Sequence, residues 1–234
     1  MHKLKLYGLI VGIMVCNLLI SQALAFKVVT IYGHDFAASG LIFSFSFLFA
    51  SIASEVYGYT LAGRIIWIQL VCQALFNIIL NMFVLFPSPA NSTTTALYLE
   101  LYGNLWRVLI ATSIAVTSSY FVNDFITSKL KIMMYGKYYA VRFLASTSIA
   151  NLILVGVSYP INFYGLYPLE KIIDIAINTW TYKFIIAILL FPVALVLAKL
   201  VKRIEKLDYY DYGISYNPMK VFNEYVSGRN AYEK

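Results

Sequence analysis

The chain has 234 residues, of which 61% are hydrophobic and 12% charged, with a net charge of +7. A soluble domain carries about 25% charged residues, so there is too little polar surface here to coat a water-soluble particle, and lipid must be the solvent for most of the chain. No Gly-x-Ser-x-Gly with a histidine, His-Glu-x-x-His, Walker loop or redox cysteine pair occurs, so the sequence offers no enzyme chemistry.

Six apolar runs follow one another: Leu6–Ala25, Leu41–Tyr57, Ile65–Phe86, Leu105–Ile126, Leu144–Phe163 and Thr179–Val201. Each is continuous rather than alternating, which predicts helices and not a barrel. A helix of about 20 residues crosses the hydrocarbon core. The reading is an all-α, polytopic protein with a six-helix transmembrane domain over residues 1–207 and a tail over 208–234. The start, MHKLKLYGLIVGIMVCNLLISQALAF, also has the basic, apolar and Ala-x-Ala features of a cleavable signal. Retention is preferred, because the segment is long enough to span and its removal would leave five helices whose loop charges no longer fit an N-terminus inside.

The positive charges do alternate. Lys3 and Lys5 precede the first run, Arg64 lies in the second connection, and Lys129, Lys131, Lys137 and Arg142 fill the fourth. Lys199, Lys202, Arg203 and Lys206 follow the last run, while the other connections are nearly uncharged. By the positive-inside rule both termini are cytoplasmic. These flanking residues account for the net charge, and no basic run with interleaved aromatics supports a nucleic-acid partner. Cys16 and Cys72 lie within apolar runs and read as small hydrophobes. His2 and His34 have no partner at ligand spacing, so no metal or other cofactor is expected.

Polar groups inside spans are costly, and each is a candidate for function. They are Asn17, Ser21 and Gln22; Ser51, Ser54 and Glu55; Asn77 and Asn81; Arg107, Asn123 and Asp124; Asn151; and Lys183. Ser51 and Glu55 are four apart and share a helix face. Glu55 reads either as a solvated helix-end residue or as a functional carboxylate. Asn123 and Asp124 carry the same two readings, and Lys183 is placed one turn into the last span, where its stem could snorkel outward. Arg64 reads as a topology anchor. A small protein of this kind is best read as a carrier, with a substrate-binding membrane subunit or a scaffold as alternatives.

The stretch SIASEVYGYTLAGRIIW, residues 51–67, resembles the vitamin-uptake-transporter-like family, whose characterised members are queuosine precursor transporters. Ser54, Glu55, Tyr57, Gly58, Arg64 and Ile65 fit its pattern. SSYFVNDFITSKLK, RFLASTSIAN, WTYKFIIAILLFP and YDYGISYNP resemble later family segments in the same order. Departures fall at Ser51, Tyr120, Asn123 and Leu154, where the family commonly has acidic residues or a glutamine. The resemblance implies a bacterial inner-membrane importer of 7-deazaguanines or a related heterocycle. Glu55 would accept the adjacent ring N–H and amine of a guanine-like edge, a charge-assisted bidentate pair. Ser51, Asn123 and Asn151 would address the remaining polar edge, Tyr57 or Trp180 would stack on the ring, and Lys183 could pair with Glu55 in the empty site. Arg64, Arg142 and Asp124 would serve topology or gating. Small-residue stretches such as Ala50–Ser54 could dock an ATP-driven module, and the aromatic tail could pack on the core or on a second subunit of a homo-oligomer.

Overall fold

The computed structural model describes residues 4–24, 27–31, 34–89, 94–103, 105–165, 167–222 and 229–232. Helices dominate: α1 (Tyr7–Ala23), α2 (Ala38–Val84), α3 (Thr95–Tyr102), α4 (Leu105–Met133), α5 (Tyr139–Phe163) and α6 (Leu169–Glu205). Four of them, α2, α4 over Val108–Met133, α5 and α6, are long and apolar enough to cross a membrane, and α1 is a shorter apolar helix.

At 47 residues, a straight α2 would reach roughly 70 Å, more than twice the hydrocarbon thickness. It is broken at Gly58, where φ is 77° and ψ 175°. That conformation belongs to glycine, since a Cβ would clash with the backbone. A Cβ on Gly58 would also run into the carboxylate of Asp211. The contacts along α1 give the direction of each arm. The Tyr7 ring packs edge-on against Tyr57 at 5.3 Å, while Asn17 Nδ2 donates to Ser46 Oγ at 2.7 Å. Toward the second arm, the Tyr7 hydroxyl donates to Leu61 O at 3.0 Å, Gln69 Nε2 to Met14 O at 2.9 Å, and Asn77 Nδ2 to Gln22 Oε1 at 2.8 Å. The first arm thus runs antiparallel to α1 and the second parallel to it, so the chain doubles back at Gly58.

The start of α1 and the end of α6 meet, because Lys5 N donates to a Glu205 carboxylate oxygen at 3.0 Å. Tyr57 donates to the same carboxylate at 2.9 Å. This end of the bundle also holds the α4–α5 turn and the tail. Phe43, Phe47 and Tyr120 form an aromatic core between α2 and α4, with ring centroids 5.1–6.0 Å apart.

The all-α reading needs correction in detail. β1 (Val28–Ile31) pairs antiparallel with β2 (His34–Ala37), and β3 (Tyr209–Tyr210) pairs with β4 (Arg229–Asn230). In the first ribbon β-branched Val28, Val29, Thr30 and Ile31 favour the extended form over a continued helix. α3 occupies a connection read as a plain loop. α5 and α6 also begin upstream of their apolar runs, because polar residues can extend a helix that its apolar centre has already nucleated.

Candidate functional site

Glu55 sits in the last turn of the first arm, just before Gly58. Three other helix ends converge on it: Lys131 from the last turns of α4, Arg142 from the first turn of α5, and Lys202 from the last turn of α6. The Arg142 guanidinium meets both carboxylate oxygens of Glu55, Nη1 on Oε2 and Nη2 on Oε1, the latter at 3.1 Å. Its remaining N–H groups donate to Lys137 O and Gly136 O, each at 3.1 Å. Lys202 Nζ lies 2.6 Å from Glu55 Oε1 and 2.8 Å from Asp208 Oδ1. Lys131 Nζ joins the same Asp208 oxygen at 2.6 Å and also donates to the backbone carbonyls of Glu55 and Tyr209. Two carboxylates thus face three cations. Glu55, Arg142 and Lys131 are at most 2% exposed, where charges are tolerable only when paired and fully hydrogen-bonded.

The tail closes over this knot. Gly58 interrupts the helical ladder and frees the Tyr59 N–H, which donates to Asp211 Oδ2 at 3.0 Å. Burial pushes the Asp211 carboxyl above the usual carboxylate range. Further along, the Tyr59 hydroxyl donates to Tyr216 O at 2.9 Å, Trp67 Nε1 to Pro218 O at 2.9 Å, and Arg64 Nε to Val221 O at 2.8 Å. Arg64 is therefore a clasp for the tail as well as a charge near the helix end.

One turn deeper lies a neutral polar layer. Ser51 Oγ is 3.5 Å from Asn123 Oδ1 and 3.4 Å from Thr147 Oγ1. Asn123 Nδ2 donates to Asp124 Oδ1 at 3.3 Å, and Asn151 Nδ2 to Thr147 O at 3.0 Å. The Asn151 Oδ1 has no hydrogen-bond partner among the described residues. All five side chains are at most 2% exposed, so the layer is closed to solvent on both sides.

Ser51, Asn123, Asn151, Asp124, Glu55 and Arg142 are brought into these two adjoining layers. The other candidates lie apart. Tyr57 is committed to Glu205 and Tyr7. Trp180 donates to Ser148 O at 3.0 Å and stacks on Phe184. Lys183 is roughly four turns into α6, not one. It is 4% exposed and sits over the Phe43 ring at 5.2 Å, while Glu55 takes Arg142 and Lys202 as partners instead. The Arg107 and His34 side chains lie outside the described residues. Ala50–Ser54 are all buried, so they form no outward docking face.

The sequence reading took Lys131 and Lys202 only as positive-inside charges and passed over Asp208 and Thr147. Helical phase carried a signal for two of them. Lys131 continues the face of Asn123 and Thr127, and Lys202 continues the alanine face of Ala194 and Ala198.

Residues 37–197 match the family described as "Putative vitamin uptake transporter". A relative from Bacillus subtilis (strain 168), described as "Probable queuosine precursor transporter", is 22% identical over 182 residues, covering 77% of this chain and 79% of its own. No solved structure matches. The family match runs from the end of β2 through most of α6; it takes in the neutral layer with Glu55, Lys131 and Arg142, and stops short of Lys202 and Asp208. The chain belongs to this family of membrane transporters.

Proposed function

We propose that this chain is a transporter that imports a 7-deazaguanine queuosine precursor, or a related heterocycle, across the bacterial inner membrane, with no chemical step. One observation carries the cargo reading: the Arg142 guanidinium lies bidentate on the buried Glu55 carboxylate, beside the Ser51–Asn123–Thr147–Asn151 layer. A guanidinium and a guanine-like edge present the same pattern, two N–H donors side by side, and a carboxylate accepts either. Substrate entering the neutral layer would exchange with Arg142 for Glu55. Ser51, Asn123 and Asn151 would take its other polar groups, and the freed Arg142 would open the end of the bundle closed by the ion pairs. Tyr57, Trp180 and Lys183 would act from outside this layer, in packing or along the path.

Six crossings with both termini in the cytoplasm suit this reading. The arms of α2 are antiparallel, and the cationic residues cluster at the end where α1 begins and α6 ends. A groove lined by Gly8, Gly12, Cys16, Phe45 and Phe49 favours a second reading. Gly8 and Gly12 have nothing against them, and small residues four apart allow close helix approach in lipid. There the chain could pair with a second copy or serve as the substrate-binding subunit of an ATP-driven system.

The test is queuosine in tRNA. The chain is expressed in a bacterium lacking both queuosine synthesis and its own importer, with 7-deazaguanine precursors fed at micromolar concentration. The intact protein restores the modification. Glu55→Gln, at matched membrane abundance, lowers the initial uptake rate roughly 10- to 100-fold, the worth of one hydrogen-bonded charge. No restoration by intact, inserted protein would sink the cargo assignment. Rescue only when an ATPase is co-expressed would move the chain to the second reading.

A further inference from the structure

A second polar cluster lies away from both layers, where α1, the second arm of α2 and α4 meet. Gln69, Gln73 and Asn77 occupy successive turns of one helix face, with Gln22 from α1 and Thr112 from α4 opposite. Asn77 Nδ2 donates to Gln22 Oε1 and to Gln73 O, both at 2.8 Å. Gln73 Nε2 donates to Thr112 Oγ1, and Gln22 Nε2 reaches the same oxygen at 3.4 Å. The four carboxamides are at most 3% exposed.

The donors of this cluster are used and three of its acceptors are not. Gln69 Oε1, Gln73 Oε1 and Asn77 Oδ1 are buried without a hydrogen-bond partner among the described residues. For Gln69 and Asn77, exchanging N and O by flipping the amide does not remove the deficit. Gln69 Nε2 and Asn77 Nδ2 donate to backbone carbonyls, of Met14 and Gln73 respectively, and a carbonyl accepts only from the nitrogen. Each orphaned acceptor has lost its water without gaining a partner, which is destabilising. Three on one face of a buried helix form a concentrated patch of negative partial charge.

We propose that this cluster binds a sodium ion. Gln73 Oε1 and Asn77 Oδ1 would be its core ligands, supported by Gln22 Oε1. Hard cations take oxygen ligands, and amide and backbone carbonyls replace the hydration shells of alkali ions inside membranes. The ligands are neutral and none of the five side chains is acidic. A divalent ion would lack the carboxylates that offset its desolvation, so the charge balance selects a monovalent ion. α4 carries Thr112 at this site and Asn123 at the neutral layer, so ion occupancy and cargo occupancy act on one helix. That places sodium as the coupling ion of the transport cycle. The coupling rests on the transport reading, whereas the binding site does not.

The experiment is thermal unfolding of the purified, detergent-solubilised protein in sodium, potassium or N-methylglucamine chloride at constant ionic strength. Sodium should raise the midpoint saturably, by roughly 5 °C at about a hundred times the dissociation constant, with potassium matching N-methylglucamine. Asn77→Leu and Gln73→Leu should abolish the rise, and Asn77→Asp, which keeps an oxygen, should retain it. Equal midpoints in the three salts for the intact protein would overturn the site, whatever the variants do. So would a sodium effect that survives both leucine substitutions. In uptake assays the precursor should enter at least tenfold more slowly without sodium. Sodium stabilisation without any precursor uptake would keep the site and refute the cargo reading alone.

Discussion

The two halves of the bundle bury polar groups by opposite means. At the end where α1 begins, Glu55, Lys131, Arg142, Lys202 and Asp208 pair with one another as charges, and the tail adds the Tyr209 carbonyl as an acceptor for Lys131. In the other half, among the described residues, the buried groups include neutral carboxamides, three of whose oxygens lack donors, and the cation Lys183, which sits over the face of Phe43. A matched ionic network closes one end at the cost of having to be broken. An incompletely satisfied neutral network keeps acceptors that a ligand could use. On the proposed function, the gate would lie at the first and the ligand-responsive groups at the second.

Breaking the matched half should have the largest effect. Arg142→Met leaves the Glu55 carboxylate, 2% exposed, with Lys202 as its remaining ion-pair partner among the described residues. Removing one member of a buried pair costs roughly 3–5 kcal/mol, seen as a fall in unfolding midpoint and in membrane abundance. Glu55→Gln with Arg142→Met should be less damaging than the sum of the two single changes, because each removes the charge the other leaves unpaired. Strict additivity would show that the pair is not the unit that closes this end.

Gly58→Ala sharpens the same half without touching a charge. At φ 77° and ψ 175° the backbone lies in a region essentially confined to glycine, which strains an L-residue by about 1–3 kcal/mol, and the added methyl must also displace the Asp211 carboxylate that caps Tyr59. The expected loss is about 2–4 kcal/mol. It should be accompanied by faster proteolysis within residues 208–222, since the capping contact releases the tail first. A stability loss with an unchanged tail cleavage rate would confine the effect to the turn.

Much of this was legible in the sequence, for identifiable reasons. Continuous apolar runs marked the helices because lipid imposes length and polarity together. The resemblance around Glu55 pointed to the residue on which four helix ends converge. Arg142 and Lys131 were read as positive-inside markers because a cation at a helix end has the same pattern whether it faces water or a buried carboxylate. The helical phase that separates these cases is short at a helix terminus. Lys183 was misplaced along its helix because hydropathy delimits an apolar run, whereas the helix runs from Leu169. The carboxamide face of Gln69, Gln73 and Asn77 was only partly noticed, through Asn77. Glutamines near a span's start do not lower its hydropathy enough to stand out, and their missing partners are a property of three dimensions.

The smallest expected effect tests the unmatched half. Lys183→Met removes an ammonium that is 4% exposed and has no ion pair or hydrogen bond among the described residues. Methionine fills similar volume and keeps contact with Phe43 through its thioether. Burying an unpaired charge is unfavourable, and replacing one by an apolar group of similar size is neutral or stabilising. The unfolding midpoint should therefore stay unchanged or rise slightly, with a stability change within about 1 kcal/mol of zero on the destabilising side. A loss as large as that of Arg142→Met would mean that Lys183 is a structural charge after all, and the contrast between the halves would fail. An unchanged midpoint with impaired uptake would place the ammonium on the cargo's path, where a charge without a fixed partner is free to meet one that passes.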